Sequence, residues 1–169
     1  MLGVVTRQAA GACRPALRTA QRYLSTEAAA TTMTLNFAVP HESIYMGKTV
    51  DQVIIPGNAG EFGVTAGHSP IVAELKPGVL QVIHEPGQEP EKFFVSAGFS
   101  LTHENSVTDV TAIEAVRVEE LDEGAVKEAY ETAKKEMDAA AEGSKEKAEA
   151  QIGVETSRAM GSAIGIVLA

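Results

Sequence analysis

Between Thr34 and about Val118 the apolar residues come in short runs rich in β-branched and aromatic side chains, the pattern of β-strands. The runs are Leu35–Val39, Thr49–Ile55, Ile71–Leu75, Val79–His84, Lys92–Ala97, Ser100–His103 and Val107–Val116. Between them lie Pro56-Gly57-Asn58, Ala66–Pro70, Pro77-Gly78, Glu85-Pro86-Gly87 and Asn105-Ser106. Proline presets φ and glycine accepts positive φ, so these breaks mark turns. No helical period falls between the runs, which excludes a doubly wound parallel sheet and favours a sandwich or barrel. From Leu121 the period changes. Leu121, Ala125, Ala129, Ala133, Met137 and Ala140 recur at spacings of four or three, which predicts a helix with those residues on its buried stripe. Asp122 is placed to cap its start. Gly143-Ser144 ends it, with Ser144 as the next cap, and a second helix runs from Lys145 towards Leu168. Gly153, Gly161 and Gly165 each cost that helix about 1 kcal/mol against alanine. It must therefore fit closely against a neighbour or fray. A short break between helices predicts an antiparallel hairpin.

Charge separates a further segment from these two. Residues 1–26 hold Arg7, Arg14, Arg18 and Arg22 and no acid. At 100° per residue the four arginines share one narrow helical face. A basic, acid-free, amphipathic N-terminus reads as a mitochondrial transit peptide, here residues 1–24, with cleavage near Leu24–Ser25 in Arg22-Tyr23-Leu24-Ser25. The whole chain carries −9; without those arginines 10 basic and 23 acidic residues remain, a net of −13. So acidic a chain is a poor nucleic-acid binder, because phosphate contacts need clustered Lys and Arg. Cys13, the sole cysteine, falls in the basic segment, which excludes a disulfide framework and a cysteine zinc site. The most apolar stretch, Ala159–Ala169, is 11 residues long. About 20 are needed to cross a bilayer as a helix.

Little in the chain points to catalysis. Gly57, Gly60, Gly63 and Gly67 match neither common phosphate-loop spacing, and no Lys or Arg lies between Lys48 and Lys76. His41, His68, His84 and His103 have no metal-binding spacing. Glu61 and His68 could form an acid–base pair, but no nucleophile or cofactor motif accompanies them. These residues point to a non-catalytic, cofactor-free, acidic mitochondrial protein made of a β-domain and a helical hairpin.

The segment Gly60-Glu61-Phe62-Gly63-Val64-Thr65-Ala66-Gly67-His68-Ser69-Pro70 carries a G-E-x-G-x-x-x-G-H-x-P pattern. It resembles the delta/epsilon subunit family of F-type ATP synthases. Leu75-Lys76-Pro77-Gly78-Val79-Leu80, Phe94-Val95-Ser96-Ala97-Gly98-Phe99, Val107-Thr108 with Ala112-Ile113, and Leu121-Asp122-Glu123 resemble further family segments in the same order. The resemblance covers about Met33 to Leu168. It implies a ten-stranded β-sandwich over 33–118 and a C-terminal antiparallel two-helix hairpin over 121–168. It also implies a rotor role in the central stalk on the matrix side of the mitochondrial inner membrane, with the gamma subunit, the small mitochondrial epsilon subunit and the c-ring as partners, and torque from proton flow as the thing transmitted. Glu61 and His68 match family positions on loops facing the c-ring, while Gly60, Gly63, Gly67 and Pro70 match positions that shape those loops. The alternative within the family is an ATP-sensing, inhibitory hairpin. Bacterial relatives that bind ATP carry an [I/L]-D-x-x-R-A motif, and here Ala125 holds the arginine position. That departure favours a hairpin docked permanently on the sandwich and its partners, with the apolar end Ile164–Leu168 buried.

Overall fold

The computed structural model describes residues 32–168; the proposed transit peptide and Cys13 lie outside them. Ten strands come first: β1 (Met33–Val39), β2 (Glu42–Val50), β3 (Gln52–Gly57), β4 (Gly60–Thr65), β5 (Ile71–Leu75), β6 (Gly78–Ile83), β7 (Glu91–Val95), β8 (Gly98–Thr102), β9 (Val107–Ala112) and β10 (Ala115–Arg117). They form two layers. One runs β5-β8-β9-β1-β2 and the other β10-β7-β6-β3-β4, and the layers are joined at the single backbone pair Gly57↔Leu75. All pairings are antiparallel except β1 with β9.

Alternation builds the core between the layers. In β1, Met33, Leu35, Phe37 and Val39 point inward and are buried, with Thr34, Asn36 and Ala38 between them. They meet Val53, Ile55, Val64, Leu80, Val82, Phe93 and Val95 from the other layer. Phe37 and Phe93 touch edge to face, with centroids 5.5 Å apart. Dense packing of this kind makes the module stiff.

Two runs that read as single strands are each divided between strands. Thr49–Ile55 turns a corner at Asp51, where β2 ends and β3 begins in the other layer. Val107–Val116 breaks at Ile113-Glu114 as the chain crosses from β9 to β10. Backbone hydrogen bonds hold both corners: Asp51 N–H donates to Ile83 O at the end of β6, and Ile113 N–H donates to Ala97 O in the β7–β8 link. β2 and β4 have no apolar run of their own, because each lies at the end of a layer and buries little.

A 3-10 turn (Val118–Glu120) leads into α1 (Glu123–Ala139) and then α2 (Lys145–Ala163). Asp122 Oδ1 accepts from Gly124 N–H and Ser144 Oγ from Lys147 N–H, so both expected caps are made. The buried stripe of α1 differs from the expected one. Ala125 and Ala129 face solvent, whereas Val126 and Tyr130 are buried, followed by the partly buried Ala133, Met137 and Ala140. Repeated spacings of four drift about 40° per step around a helix, while alternating four and three keeps one face. In α2 the facing stripe is Ala150, Val154, Ser157 and Gly161. Gly153 sits where an added Cβ would be 3.2 Å from Ala133 Cβ, so its glycine permits close helix contact.

In the chain by itself the C-terminal segment Ile164–Leu168 is partly covered: Val167 is 92% exposed, and Ile164, Ile166 and Leu168 are half-buried. Gly165, at φ +80°, ends α2 in a Schellman turn with Ile166 N–H donating to Gly161 O. The chain thereby folds back on its own helix, where the Leu168 side chain lies against Gly161 and its carbonyl accepts from Arg158 Nε at 3.3 Å.

Candidate partner-binding site

The motif residues occupy two ends of one strand. Gly57 and Gly60 pair across the two-residue turn Asn58-Ala59, and Gly60 has φ +135°. Glu61 follows at the start of β4, exposed and opposite Pro56. Gly63 is not in a loop; it lies within β4 opposite Ile54. Beyond β4, Thr65-Ala66-Gly67-His68 closes a tight turn through His68 N–H to Thr65 O at 3.2 Å. Gly67 has φ +75°, the third position of a type II turn, and its N–H donates to Ser106 Oγ at 2.9 Å. His68 is half-buried, with Nδ1 2.8 Å from Ser69 O, and Pro70 leads exposed into β5. Glu61 and Thr65 are four strand steps apart, about 13 Å. Glu61 and His68 therefore cannot work as an acid–base pair.

The sheet β5-β8-β9 presents a different kind of site. On β8 the usual alternation is inverted. Ser100 and Thr102 point inward and are 0% and 2% exposed, while Phe99 and Leu101 point outward at 61% and 38%. Val72, opposite Leu101 on β5, is 70% exposed, and Ile113 past the end of β9 is 61% exposed. Inside, Thr102 Oγ1 finds Thr108 Oγ1 at 3.3 Å, and Ser100 Oγ has no partner. Burying hydroxyls while exposing a phenylalanine opposes the normal drive of folding. A hollow of about 320 Å³ beside Phe99 is lined by Pro40, Leu75 and Ile113 among others. A second of about 420 Å³, reaching from Val72 to Asn58 and Gly60, extends towards the Glu61 end.

Polar groups border this apolar face. Asp109, opposite Leu101, accepts from Asn36 Nδ2 at 2.6 Å and pairs with His103 Nε2 at 2.8 Å. Asn36 Oδ1 in turn accepts from Gly47 N–H at 2.7 Å. The Asn36 bond, working against burial and joined by His103, holds the Asp109 carboxyl below its ordinary range. The border is thus a chain of partners running from just past β8 across β9, β1 and β2, ready to meet another surface without reordering.

Reading the residues for chemistry missed Val72, Phe99, Leu101 and Ile113, because an apolar side chain in a strand reads the same whether it faces the core or solvent. Among the described residues no three His, Cys, Asp or Glu side chains are grouped to hold a metal. A stiff two-layer β-module with its apolar residues turned outward on one sheet belongs to the class of interaction modules.

Comparison with known proteins specifies the class. The family described as "ATP synthase, Delta/Epsilon chain, beta-sandwich domain" matches residues 32–118. ATP synthase subunit delta, mitochondrial, of Yarrowia lipolytica is 38% identical over 154 residues, covering 91% of this chain and 94% of its own. The corresponding subunit of Saccharomyces cerevisiae is 40% identical over 133 residues, covering 79% and 81%. ATP synthase subunit delta′, mitochondrial, of Pisum sativum is 44% identical over 134 residues; the match spans 79% of this chain and 66% of the pea protein. This chain therefore spans just under two thirds of that plant relative's length. A chain in the structure of the Euglena gracilis mitochondrial ATP synthase OSCP/F1/c-ring superposes with a TM-score of 0.73 at 29% identity, covering 79% of this chain and 82% of that one. A chain of the Tetrahymena thermophila central stalk/c-ring structure shares the fold at TM-score 0.56 and 14% identity. The chain belongs to the ATP synthase delta/epsilon chain family.

Proposed function

We propose that the protein is a non-catalytic rotor subunit of mitochondrial ATP synthase, joining gamma to the c-ring so that proton-driven rotation reaches the catalytic head. The observation that carries this reading is the inverted face of β8. Phe99, Leu101 and Val72 gain only when another protein covers them. The names of the relatives supply the kind of complex in which that cover would be found.

In this reading the Phe99 face binds gamma, an apolar contact with the Asp109–Asn36 border as its polar rim. The Asn58-Ala59 turn and Glu61 meet the polar loops of the c-ring, where an exposed carboxylate fixes rotational register. His68, in the turn beyond the other end of β4, is the second residue proposed to face the c-ring. The small epsilon subunit is the third partner. Residues 1–24 direct the chain to the mitochondrion and are removed, and the mature sandwich (33–118) and hairpin (121–168) sit on the matrix side of the inner membrane. No helix among the described residues is long and apolar enough to cross a membrane, in keeping with attachment through partners. Ala125 stands exposed on α1, where ATP-sensing hairpins of the bacterial type carry arginine, so the mechanical reading is preferred to a nucleotide sensor.

Purification of tagged full-length protein from mitochondria tests the proposal. Gamma and the c-ring should come with it in one complex, and a free monomer in the matrix would overturn it. Glu61→Lys should weaken assembly or the coupling of proton flow to ATP synthesis, while the hydrolytic chemistry of the catalytic head stays intact. Unchanged assembly and proton-driven synthesis would remove Glu61 from the interface.

A further inference from the structure

At the side of the sandwich away from the Gly57–Leu75 junction, the two layers end in β2 and β10, and no backbone pairing joins them. One carboxylate bridges this gap. Glu91, at the start of β7, accepts from the Tyr45 hydroxyl of β2, lies 3.1 Å from His84 Nε2 just past β6, and lies 2.5 Å from Arg117 Nη1 at the end of β10. Three groups from three other segments of chain converge on its two oxygens. Phe93, two residues along β7, supports the same constellation: Tyr45 meets it edge to face at 6.0 Å, and the Arg117 guanidinium lies 5.3 Å from its ring centre. Burial and the neighbouring carboxylate push the Tyr45 phenol up, which keeps it a donor.

The place of Arg117 gives the cluster a second consequence. Arg117 is the last residue of the sheet before the chain leaves for the hairpin. The strand that holds it, β10, is three residues long and pairs on one side only, with β7. The following turn, Val118–Glu120, buries nothing. Beyond this exit, the hairpin's main attachment to the sandwich is packing of α2 against β6. So short an edge strand frays readily unless side chains hold its end.

We infer that Glu91 is a latch: by gripping Arg117 it holds β10 on the sheet and fixes the direction in which the helical hairpin leaves the sandwich. Releasing the grip frees the 115–120 segment as a hinge and lets the hairpin move away from β6. Tyr45 and His84 hold the carboxylate oxygen that Arg117 does not use. The latch is a property of the chain by itself, so it stands or falls independently of the partners assigned above.

The test uses the full chain with Cys13→Ser and spin labels on cysteines replacing the exposed Glu104, in the β8–β9 turn, and Glu155, on α2. The parent should give one narrow sandwich-to-hairpin distance population. Glu91→Gln and Arg117→Leu should each add a second, longer-distance population at temperatures where circular dichroism shows the chain folded. Tyr45→Phe, which leaves the Arg117 contact in place, should keep the single population. The Arg117 side chain is half-exposed, so Arg117→Leu decides the matter should Glu91→Gln fail to fold. Lower thermal stability with an unchanged single distance in the folded variants would show a staple of the sandwich and overturn the latch.

Discussion

Replacing Phe99 by serine separates the binding face from the fold that presents it. A phenylalanine buries about 200 Å² when fully enclosed. With 61% of the residue exposed, about 120 Å² remains for a partner to cover, worth about 3 kcal/mol at ~25 cal/mol per Å². That is roughly a 150-fold loss of affinity. The other 80 Å² or so already lies against the sheet, so the free subunit should lose about 2 kcal/mol in its own unfolding. Met46→Ser is the control: Met46 is 84% exposed on β2, the edge of the same layer remote from β5 and β8. The assay is binding of purified subunit to a central stalk prepared without it, alongside denaturant unfolding of each free variant. Phe99→Ser should bind far more weakly than its modest loss of stability explains, and Met46→Ser should bind normally. Binding of Phe99→Ser within about threefold of the parent would refute the assignment of this face.

Gly98→Ala should be much more damaging than a surface substitution. At φ +154° its new Cβ would lie 2.0 Å from the Thr111 carbonyl oxygen, a backbone atom that cannot step aside, and a cost of about 3 kcal/mol is expected as a drop in thermal midpoint of roughly 10 °C. The pH dependence of stability should report Glu91. Burial pushes its carboxyl up, but bonds from Tyr45 and His84 and the charge of Arg117 outweigh that and leave it below the ordinary 4.5. A carboxyl held lower in the folded than the unfolded chain contributes fully above about pH 4.5 and progressively less as pH falls through its folded value. Unfolding of the parent should thus steepen below that pH, and Glu91→Gln should flatten the acid limb; identical slopes in the two proteins would contradict the ion pair.

The positions of the turns, the change from strand to helix period near Leu121, the caps Asp122 and Ser144, and the family motif at Gly60–Pro70 were all legible in the residues alone, because each depends on local backbone chemistry or on adjacent positions. Other features required the neighbours. Nothing local marks the corner at Asp51 or at Ile113-Glu114, since an apolar run reads the same whether it stays in one layer or crosses to the other. The α1 stripe passes through Val126 and Tyr130 and not Ala125 and Ala129 because α2 lies on that side.

The clearest division falls on β8. Phe99-Ser100-Leu101-Thr102 announces a strand with two unlike faces, and no feature of those four residues tells which face meets the core. A shift of one residue exchanges the faces completely. Here the choice is made by pairing: Gly98 is wedged against Thr111 and Ala112 and opposite Leu75, and that register turns the hydroxyls in and the phenylalanine out. Composition and spacing thus determined a β-module with a helical hairpin, while the register of one strand between its two neighbours decided where that module is sticky.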